Sequence, residues 1–404
     1  MTGSDLPFLP YGRQLIEADD VAAVAAALQS GWLTTGPAVT AFETALARTV
    51  SCRHAVVCAN GTAALHLTAL ALGLGPGDAV IVPAVTFLAT ANAARFVGAE
   101  VRFADVDPDT GLMESRHLEE AWQRDGPGAV KAVFPVHLNG QCVALPELWD
   151  QARARGVPLV EDACHALGTT YAGPDGVARA AGGCHHSTLG VFSFHPVKTV
   201  AMGEGGAITT NDDRLAQRLR LLRSHGMHQN PMEFRHPQWA LDPDGQPNPW
   251  YYEMAEVGYN YRASDLHCAL GCSQLHKLPR LAARRRELAA LYDRLLAPLA
   301  PLVRPIPRQP GNVPVWHLYV VRIDFATLGR HRGAVMQALR DRGIGTQVHY
   351  LPLHRQPYYR QRYGELDLPG AWAYYRQVLS LPLFPAMENA DVERVVEELG
   401  RVMQ

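Results

Sequence analysis

The chain has 404 residues, which is enough for two or three domains of ordinary size and a large core. Hydrophobic residues make up 48% of it and charged residues 19%, a composition typical of globular proteins and not of disordered ones. The formal net charge of −2 argues against a nucleic-acid partner, and the absence of long apolar runs argues against a membrane span.

The N-terminal residues and the cysteines indicate the cellular compartment that we expect for the protein. The first residues, MTGSDLPFLPYGRQ, have neither a basic start nor an apolar run, so no signal peptide is expected. The seven cysteines are scattered without a CxxC pair, which favours the reducing cytoplasm. Cys184, His185 and His186 are adjacent, but adjacent side chains seldom converge on one ion, so no metal is expected.

Strand and helix patterns alternate along the first half of the chain, after an N-terminal arm over residues 1–18. The predicted elements, in chain order, are a helix at 19–30, a strand at 55–58, a helix at 62–72, a strand at 79–82, a helix at 86–97, strands at 100–103 and 129–136, a helix at 145–155, and strands at 157–160 and 189–194. This alternation predicts an α/β fold with a doubly wound, mainly parallel sheet and helices on both faces.

The second half of the chain predicts a smaller domain. Residues 231–249 are rich in Pro, Asp and Gln and predict a long surface loop, of the kind that serves as a lid or an interface element. A basic helix at 281–296 leads to an alternating strand at 317–325 and to amphipathic helices at 331–342 and 390–402. We therefore expect a large domain over 19–280 and a small C-terminal α/β domain over 281–404.

The stretch LGVFSFHPVKTVAMGEGG, residues 189–206, is the most informative part of the sequence. An apolar strand leads directly to Lys198, and a glycine-rich turn follows at 203–206. Burial lowers the pKa of an amine and frees its lone pair to attack a carbonyl, as Schiff-base chemistry requires. Most lysines are solvated surface charges, so Lys198 needs support from other segments.

Asp162 supplies part of that support. It follows an apolar run at 156–160, and ligands of open α/β sheets lie at the carboxyl ends of strands. A carboxylate there can keep a pyridine nitrogen protonated, so that the ring of pyridoxal phosphate (PLP) acts as an electron sink. The alternative is that Asp162 only caps a helix.

The stretch CANGTAAL, residues 58–65, supplies the rest. An apolar strand meets a glycine turn, and an Ala/Leu-rich helix begins at about Thr62. The free N–H groups and the dipole of such a helix start suit a phosphate. The alternative is an ordinary strand–turn–helix unit with an asparagine cap.

In this order and spacing, NGTAAL from residue 60, EDACHA from 161 and SFHPVK from 193 resemble the DegT/DnrJ/EryC1/StrS family of nucleotide-sugar aminotransferases. The motif GYNYR at 258–262 extends the resemblance, which runs from Trp32 to Pro385. The resemblance implies the PLP-dependent aminotransferase fold of type I, with a mainly parallel sheet in the large domain and a smaller C-terminal α/β domain.

The resemblance also implies the cofactor site. Lys198 and Asp162 are the expected catalytic residues, with Lys198 bonding the cofactor and then moving a proton, and Asp162 holding the ring nitrogen protonated. Asn260 is expected to reach the phosphate from the partner subunit, which makes the enzyme a homodimer with shared sites. The full expected cofactor-binding set is Gly61, Thr62, Phe87, Asp162, His165, Ser193, Lys198 and Asn260. Two alternatives stay open: Phe87 as a core residue, and a purely structural His165.

The expected substrates are L-glutamate and a UDP-4-keto-6-deoxy-N-acetylhexosamine. Residues in segments that line the cleft of relatives are Thr34, Thr35, His195, Arg262, His349, Tyr350 and His354, although a structural role is as good an explanation for each. GIGTQVHY at 343–350 and PLHRQPYY at 352–359 resemble the branch of the family that acts in pseudaminic acid biosynthesis, with amination at C4 of the sugar. Alternatives are another C4 or C3 sugar aminotransferase, a C3 dehydratase, whose relatives replace the lysine by histidine, and a cofactor-free binding or regulatory subunit.

Overall fold

A computed structural model describes residues 7–404. The helices are α1 Ala18–Gln29, α2 Pro37–Val50, α3 Gly61–Ala71, α4 Leu88–Phe96, α5 Ser115–Gln123, α6 Leu145–Ala154, α7 Asp213–Arg223, α8 Pro237–Ala240, α9 Asp265–His276, α10 Leu278–Leu296, α11 Phe325–Leu328, α12 Arg332–Arg340, α13 Pro357–Tyr363, α14 Pro369–Gln377 and α15 Asn389–Met403. The strands are β1 His54–Cys58, β2 Asp78–Pro83, β3 Glu100–Ala104, β4 Ala129–Val133, β5 Val160–Asp162, β6 Thr170–Ala172, β7 Ala178–Ala180, β8 Leu189–Ser193, β9 Gly206–Thr210, β10 Met227–His228, β11 Glu253–Met254, β12 Val303–Pro305, β13 Asn312–Val313, β14 Tyr319–Ile323 and β15 Val378–Leu381.

A large, mainly parallel sheet lies at the centre of the molecule. Strands pair in the orders β1-β9-β8-β5 and β3-β2-β4. Parallel bridges from Val133 to Leu159 and from Val136 to Asp162 join the two sets edge to edge. Strand β9 runs antiparallel to both of its neighbours, whereas β8 pairs with β5, and β2 with β3 and β4, in parallel. The predicted α/β fold with a mainly parallel sheet is confirmed.

Burial explains why these segments form the sheet. Every residue of β9 is buried, and so is every residue of β1 after His54, as expected for strands covered on both faces. Helix α3 is buried almost all round, with Leu65 and Leu67 inside the core, and it packs on β8 and β9. A helix surrounded by core holds its first turn rigidly at the edge of the sheet.

The C-terminal residues form a second, antiparallel sheet in the order β12-β14-β15. Helices α10 and α12 pack against α15, whose apolar stripe of Val392, Val395 and Leu399 is fully buried. Strand β13 leaves this group and pairs with β6. The boundaries at 18/19 and 280/281 stay predictions.

Several predicted element ends differ from the structure. The helix predicted from residue 86 starts at Leu88, because Phe87 has extended backbone with φ −69° and ψ 151°. The strand predicted at 157–160 is observed as β5, Val160–Asp162. The alternation expected at 317–325 is absent from Tyr319–Val321, which are all buried, since β14 is the middle strand of its sheet.

Residues 231–249 are mostly exposed and contain a 3₁₀ turn at Pro231–Glu233 and the short helix α8. Within residues 7–404, the helices are all too short or too polar to cross a bilayer.

Candidate active site

The first turn of α3 forms a cradle at the end of β1. The side chain of Asn60 caps the helix by accepting the N–H of Ala63 at 2.8 Å. The N–H groups of Gly61 and Thr62 then have no acceptor within the helix, and they point out at its positive end. The turn is therefore built to receive an anion.

Ser193, the last residue of β8, closes this cradle. A Cβ atom on Gly61 would lie 2.9 Å from the Ser193 Cβ and 3.2 Å from its Oγ, so a side chain at position 61 would collide with it. A Cβ on Gly206 would lie 2.2 Å from the carbonyl oxygen of Asn60. The two glycines let three backbone segments meet, and they bring Gly61, Thr62 and Ser193 together as the sequence predicts.

Asp162 ends β5 and is 4% exposed. Its carboxylate accepts the hydroxyl of Thr90 at 2.7 Å and the N–H of Cys164 at 3.2 Å. Residues 163–169 form turns, so the alternative in which Asp162 caps a helix is wrong. Helix α4, through Thr90, fixes the direction in which the carboxylate points.

Lys198 lies in the turn after β8, where its N–H donates to the carbonyl oxygen of His195 at 2.8 Å. Burial lowers the pKa of the Lys198 amine, while Cys164 and Asp162 act in the opposite direction. The amine therefore loses its proton more readily than a surface lysine does, which is the condition for nucleophilic and general-base chemistry.

His165 stands beside Lys198 with both ring nitrogens engaged. Nδ1 accepts the N–H of Asn139 at 3.3 Å, and Nε2 faces the Tyr350 hydroxyl at 3.4 Å. Burial, and then the charge of Lys198, holds the pKa of His165 well below its usual range, so the ring is neutral. Because Nδ1 is an acceptor, the proton of the neutral ring is on Nε2.

His317 is a neighbour that the sequence analysis missed. Its ring centre lies 4.4 Å from that of His165, and burial holds its pKa well below the usual range. It stands just before β14, and the only signal in the sequence was a polar residue at the head of an apolar strand.

Phe87, His349 and Tyr350 are further aromatic side chains around Lys198 and His165. Phe87 is 55% exposed, so it is not a core residue, and its ring centre lies 6.1 Å from that of Tyr350. His349 is buried beside Ser380, with Nδ1 and Oγ 2.8 Å apart, and burial lowers its pKa to about 3. The open face of Phe87 and the imidazoles around Lys198 form a largely uncharged wall.

The comparisons with known proteins agree with this geometry. The model of the DegT/DnrJ/EryC1/StrS aminotransferase family matches residues 14–400. The chain belongs to this family. It is a PLP-dependent nucleotide-sugar aminotransferase of fold type I.

Solved structures support the assignment along the whole chain. The aminotransferase TlmJ from Streptoalloteichus hindustanus is 32% identical over 98% of each chain, with a TM-score of 0.85. PseC from Helicobacter pylori, an aminotransferase involved in the biosynthesis of pseudoaminic acid, is 27% identical over 98% of this chain and 99% of its own, with a TM-score of 0.86. The sugar aminotransferase Spr1654 from Streptococcus pneumoniae, 27% identical over 98% of each chain with a TM-score of 0.84, has been solved in PLP and PMP forms.

The residues present fit the cofactor of this aminotransferase family. The first turn of α3, with Gly61 against Ser193, suits the phosphate. The exposed ring of Phe87 offers a face for a pyridine ring, and Asp162 offers a buried carboxylate. The lowered pKa of Lys198 suits an amine that bonds an aldehyde.

Thr34, Thr35 and Arg262 lie on one edge of the protein. Thr34 pairs with Ser264, two residues after Arg262. Asp265, at the start of α9, accepts the N–H groups of Gly36 at 2.7 Å and of Ala38 at 3.0 Å, which fixes the Thr34–Thr35 turn. Both threonines are exposed and Arg262 is half-buried, so all three can be reached by a ligand.

Two further expected residues are exposed. His195 lies in the turn that carries Lys198. Asn260 has an exposed side chain, and its backbone pairs with Ser224. The next residue, Tyr261, accepts the N–H of Ala59 at 2.7 Å, so the GYNYR segment runs beside the cradle of its own subunit.

His354 is the most buried of the expected substrate residues. It is 2% exposed, its ring centre lies 6.5 Å from that of Phe103, and neither ring nitrogen has a hydrogen-bond partner within residues 7–404. Burial lowers its pKa to about 4. It borders a small cavity of about 200 Å³ that is also lined by Arg355, Arg360, Glu365, Leu366 and Asp367.

Proposed function

We propose that this enzyme transfers an amino group from L-glutamate to the C4 keto group of UDP-2-acetamido-2,6-dideoxy-β-L-arabino-hex-4-ulose. The product is UDP-4-amino-4,6-dideoxy-N-acetyl-β-L-altrosamine, an intermediate of pseudaminic acid synthesis. The observation that carries the transaminase chemistry is the lowered pKa of Lys198 beside the buried carboxylate of Asp162. The sugar assignment rests on the segments 343–350 and 352–359 and on the likeness to PseC.

The residues that hold the cofactor and move the proton have separate tasks in this proposal. PLP, when bound, would supply an electron sink for the electron pair of the C–H bond that breaks beside the migrating amino group. The Lys198 amine takes a proton from the carbon that bears the donor's amino group and returns one to the sugar C4. Asp162 keeps the ring nitrogen protonated, and the Gly61, Thr62 and Ser193 cradle holds the phosphate.

The sugar and the donor are proposed to bind against the exposed face of Phe87 and near the exposed Thr34–Thr35 turn. Tyr350 lies beside Phe87 and His165, and His349 lies beside Tyr350; both contact the hexose in this scheme. Arg262 carries a planar cation suited to a diphosphate or a carboxylate. Thr34, Thr35 and His195 contribute polar contacts from exposed or nearby turn positions. His354 stays a predicted substrate residue, and its burial beside Phe103 favours the structural alternative.

A homodimer with shared sites is part of the proposal, and the exposure of Asn260 supports it. Mixing the inactive variants Lys198→Ala and Asn260→Asp tests it, because a hybrid dimer collects both defects in one site and leaves the other intact. We expect activity to return on mixing. If native mass spectrometry shows hybrid dimers that stay inactive, Asn260 serves its own subunit.

The compartment proposed is the reducing cytoplasm. All seven cysteines are free thiols, and burial raises the pKa of Cys58 to about 12.

A different sugar aminotransferase is the second candidate. TlmJ, and DesI solved with its TDP-sugar product, are each 32% identical to this chain, compared with 27% for PseC. A C3 dehydratase is disfavoured by the lysine at position 198. An absorption band near ~420 nm, expected for this cofactor bound to its lysine, separates both enzymatic candidates from a cofactor-free subunit.

The deciding experiment offers the L-arabino and the D-xylo 4-keto epimers and weighs the products by mass spectrometry. Buried hydrogen-bonding groups reject the wrong epimer because it leaves polar atoms unpaired, so we expect preference for the L-arabino sugar. Tyr350→Phe and His349→Phe should lower kcat/KM for the nucleotide sugar and leave the glutamate half-reaction nearly intact. Equal rates with both epimers would overturn the sugar assignment and leave the transaminase assignment standing.

A further inference from the structure

His317 is a buried group of the site that the proposed chemistry does not use. It is 5% exposed, and its ring is tilted by 51° against that of His165 at 4.4 Å. Its Nδ1 is buried and has no hydrogen-bond partner within residues 7–404. An imidazole with an unpaired nitrogen costs free energy of folding, so its place next to His165 calls for a physical reason.

Asn139 holds both histidines at once. Its N–H donates to His165 Nδ1 at 3.3 Å, and its carbonyl oxygen accepts the N–H of His317 at 3.0 Å. The residue has a left-handed backbone, with φ 61°, which asparagine tolerates well. Its side-chain amide donates to the Tyr374 hydroxyl at 3.1 Å, which fixes the turn. One residue thus sets the distance between two segments that are far apart in the chain.

Arg285 holds the other end of the His317 segment. It is 1% exposed, and its Nη1 donates to the carbonyl oxygens of Trp316 at 3.0 Å and His317 at 3.2 Å. A third bond reaches the carbonyl of Leu383 at 3.2 Å. With backbone held on both sides, the His317 ring has little freedom to move away from His165.

We propose that His317 is a positioning residue of this site: its ring packs on the ring of His165 and keeps it turned with Nδ1 toward Asn139 and Nε2 toward Tyr350. The groups that face His165 are then Asn139, His317, Tyr350, His349 and Lys198. Lys198 is the one cation among them, and the His165 N–H points into the site. The catalytic consequence rests on the proposed function, but the positioning does not.

The test uses the full cofactor-free chain labelled with ¹⁵N-histidine, because nitrogen shifts report the tautomer and the protonation of each ring. His165→Gln identifies the His165 signals. His317→Leu and His317→Asn remove the flat ring, His317→Phe keeps it, and His117→Gln removes a buried histidine at the start of α5 as a control. Two ring-removing variants are included so that one that fails to fold does not end the test.

In the wild type, His317→Phe and His117→Gln we expect one His165 tautomer, with the proton on Nε2. In His317→Leu and His317→Asn we expect a mixture of tautomers and a His165 pKa higher by about one unit, because water and ring rotation relieve its burial. Unchanged His165 signals in a folded ring-removing variant would overturn the proposal, and so would equal disturbance in His317→Phe.

Kinetics separates this proposal from the proposed function. Loss of the ring should lower kcat by roughly tenfold with little change in KM, as expected for a misplaced group near a reacting centre, and His317→Phe should restore it. If no variant, the wild type included, aminates a keto sugar while the nitrogen shifts behave as expected, the proposed function fails and the positioning role stands.

Discussion

Two of the three lysines in this chain are buried or half-buried, and their surroundings differ. Lys277 is 8% exposed, and its Nζ lies 2.8 Å from Asp19 and 2.7 Å from Asp20. Burial acts to lower its pKa, but these carboxylates together with Glu17 raise it above the usual range. Around Lys198 stand uncharged imidazoles and one carboxylate, and burial lowers the pKa. Enclosure alone therefore does not make a lysine reactive, and the number of carboxylates around it decides.

The two lysines also differ in what they hold together. Lys277 ties the start of α1 to the junction of α9 and α10, and its ammonium fills the cluster of Glu17, Asp19 and Asp20. These three carboxylates are close enough to bind a metal ion, but a cation is already there. Lys198 has no such structural task, which leaves its amine available for chemistry.

Substitution of Lys198 and of Lys277 should give the largest difference between an effect on turnover and an effect on stability. Lys198→Ala should lower turnover by roughly 10³-fold or more, because the proton-transfer group is lost, with little change in the free energy of unfolding. Lys277→Met should leave the turnover of the folded fraction nearly unchanged and lower the free energy of unfolding by about 3 kcal/mol, since Asp20 keeps a buried charge without its cation. Urea titration and steady-state kinetics on both variants measure this. The reverse pattern would contradict the distinction.

The adjacent carboxylates Asp162 and Glu161 allow a second comparison between a group of the active site and a group with a structural role. Asp162→Asn should lower kcat by roughly 10² to 10³-fold, as loss of an electrostatic partner does. Glu161 accepts the N–H of Gly182 at 2.7 Å and the hydroxyl of Ser187 at 2.5 Å, away from the site. Glu161→Gln should therefore reduce stability and leave the kcat of the folded enzyme close to wild type. Near-normal kcat in Asp162→Asn would show that another group holds the ring nitrogen.

The surroundings of Lys198 and the carboxylate cluster around Lys277 should lose stability in different pH ranges. His349 has a folded pKa of about 3 against an ordinary value of 6.5, so between these values the unfolded chain takes a proton that the folded chain excludes. As the pH is lowered through this range, the free energy of unfolding falls by at most about 1.4 kcal/mol per pH unit because of His349. His349→Phe should flatten that slope in the cofactor-free protein.

The Lys277 cluster acts at the extremes of pH instead. The lowered pKa values of Glu17, Asp19 and Asp20 mean that their contribution is lost as the pH falls below about 4. The raised pKa of Lys277 means that its contribution is lost only as the pH rises above its folded value. Lys277→Met should therefore change the slope below pH ~4 and leave it unchanged between pH ~4 and 6.5. A change confined to the middle window would contradict this account.

Reactivity without cofactor is the smallest expected effect. Reductive methylation of the cofactor-free chain over a range of pH, followed by peptide mapping, reports each amine separately. Lys131, exposed at strand β4, serves as the reference. Lys198 should begin to react at lower pH than Lys131, and Lys277 at higher pH, because the pKa of the first is lowered and that of the second raised. If Lys198 began to react only at a higher pH than Lys277, the uncharged side chains around Lys198 would not favour its free amine.

The sequence predicted the parts of the site that depend on local order. Asp162 ends β5, Ser193 ends β8 and Gly61 starts α3, so a strand–turn–helix pattern was enough to bring them to the same edge of the sheet. The exposed ring of Phe87 was beyond that pattern, since it depends on α4 starting two residues later than predicted, at Leu88.

Contacts between distant segments were not predictable. Asp19 and Lys277 are 258 positions apart, and nothing in either segment signals the other. His317 meets His165 only because Asn139 adopts a left-handed backbone in a turn that the sequence analysis passed over. The substrate role of His354 stays a prediction; a motif does not tell which way a ring points, and the packing of this ring by Phe103 could not be predicted from it.

The most direct test of the account is borohydride reduction of the holoenzyme, which fixes the cofactor on the lysine that holds it. The chain has only Lys131, Lys198 and Lys277, so a peptide map resolves every candidate. We predict that the cofactor mass appears on the peptide with Lys198 and on neither of the others. Label on the peptide with Lys277 or with Lys131 would contradict the assignment of Lys198 as the reactive amine.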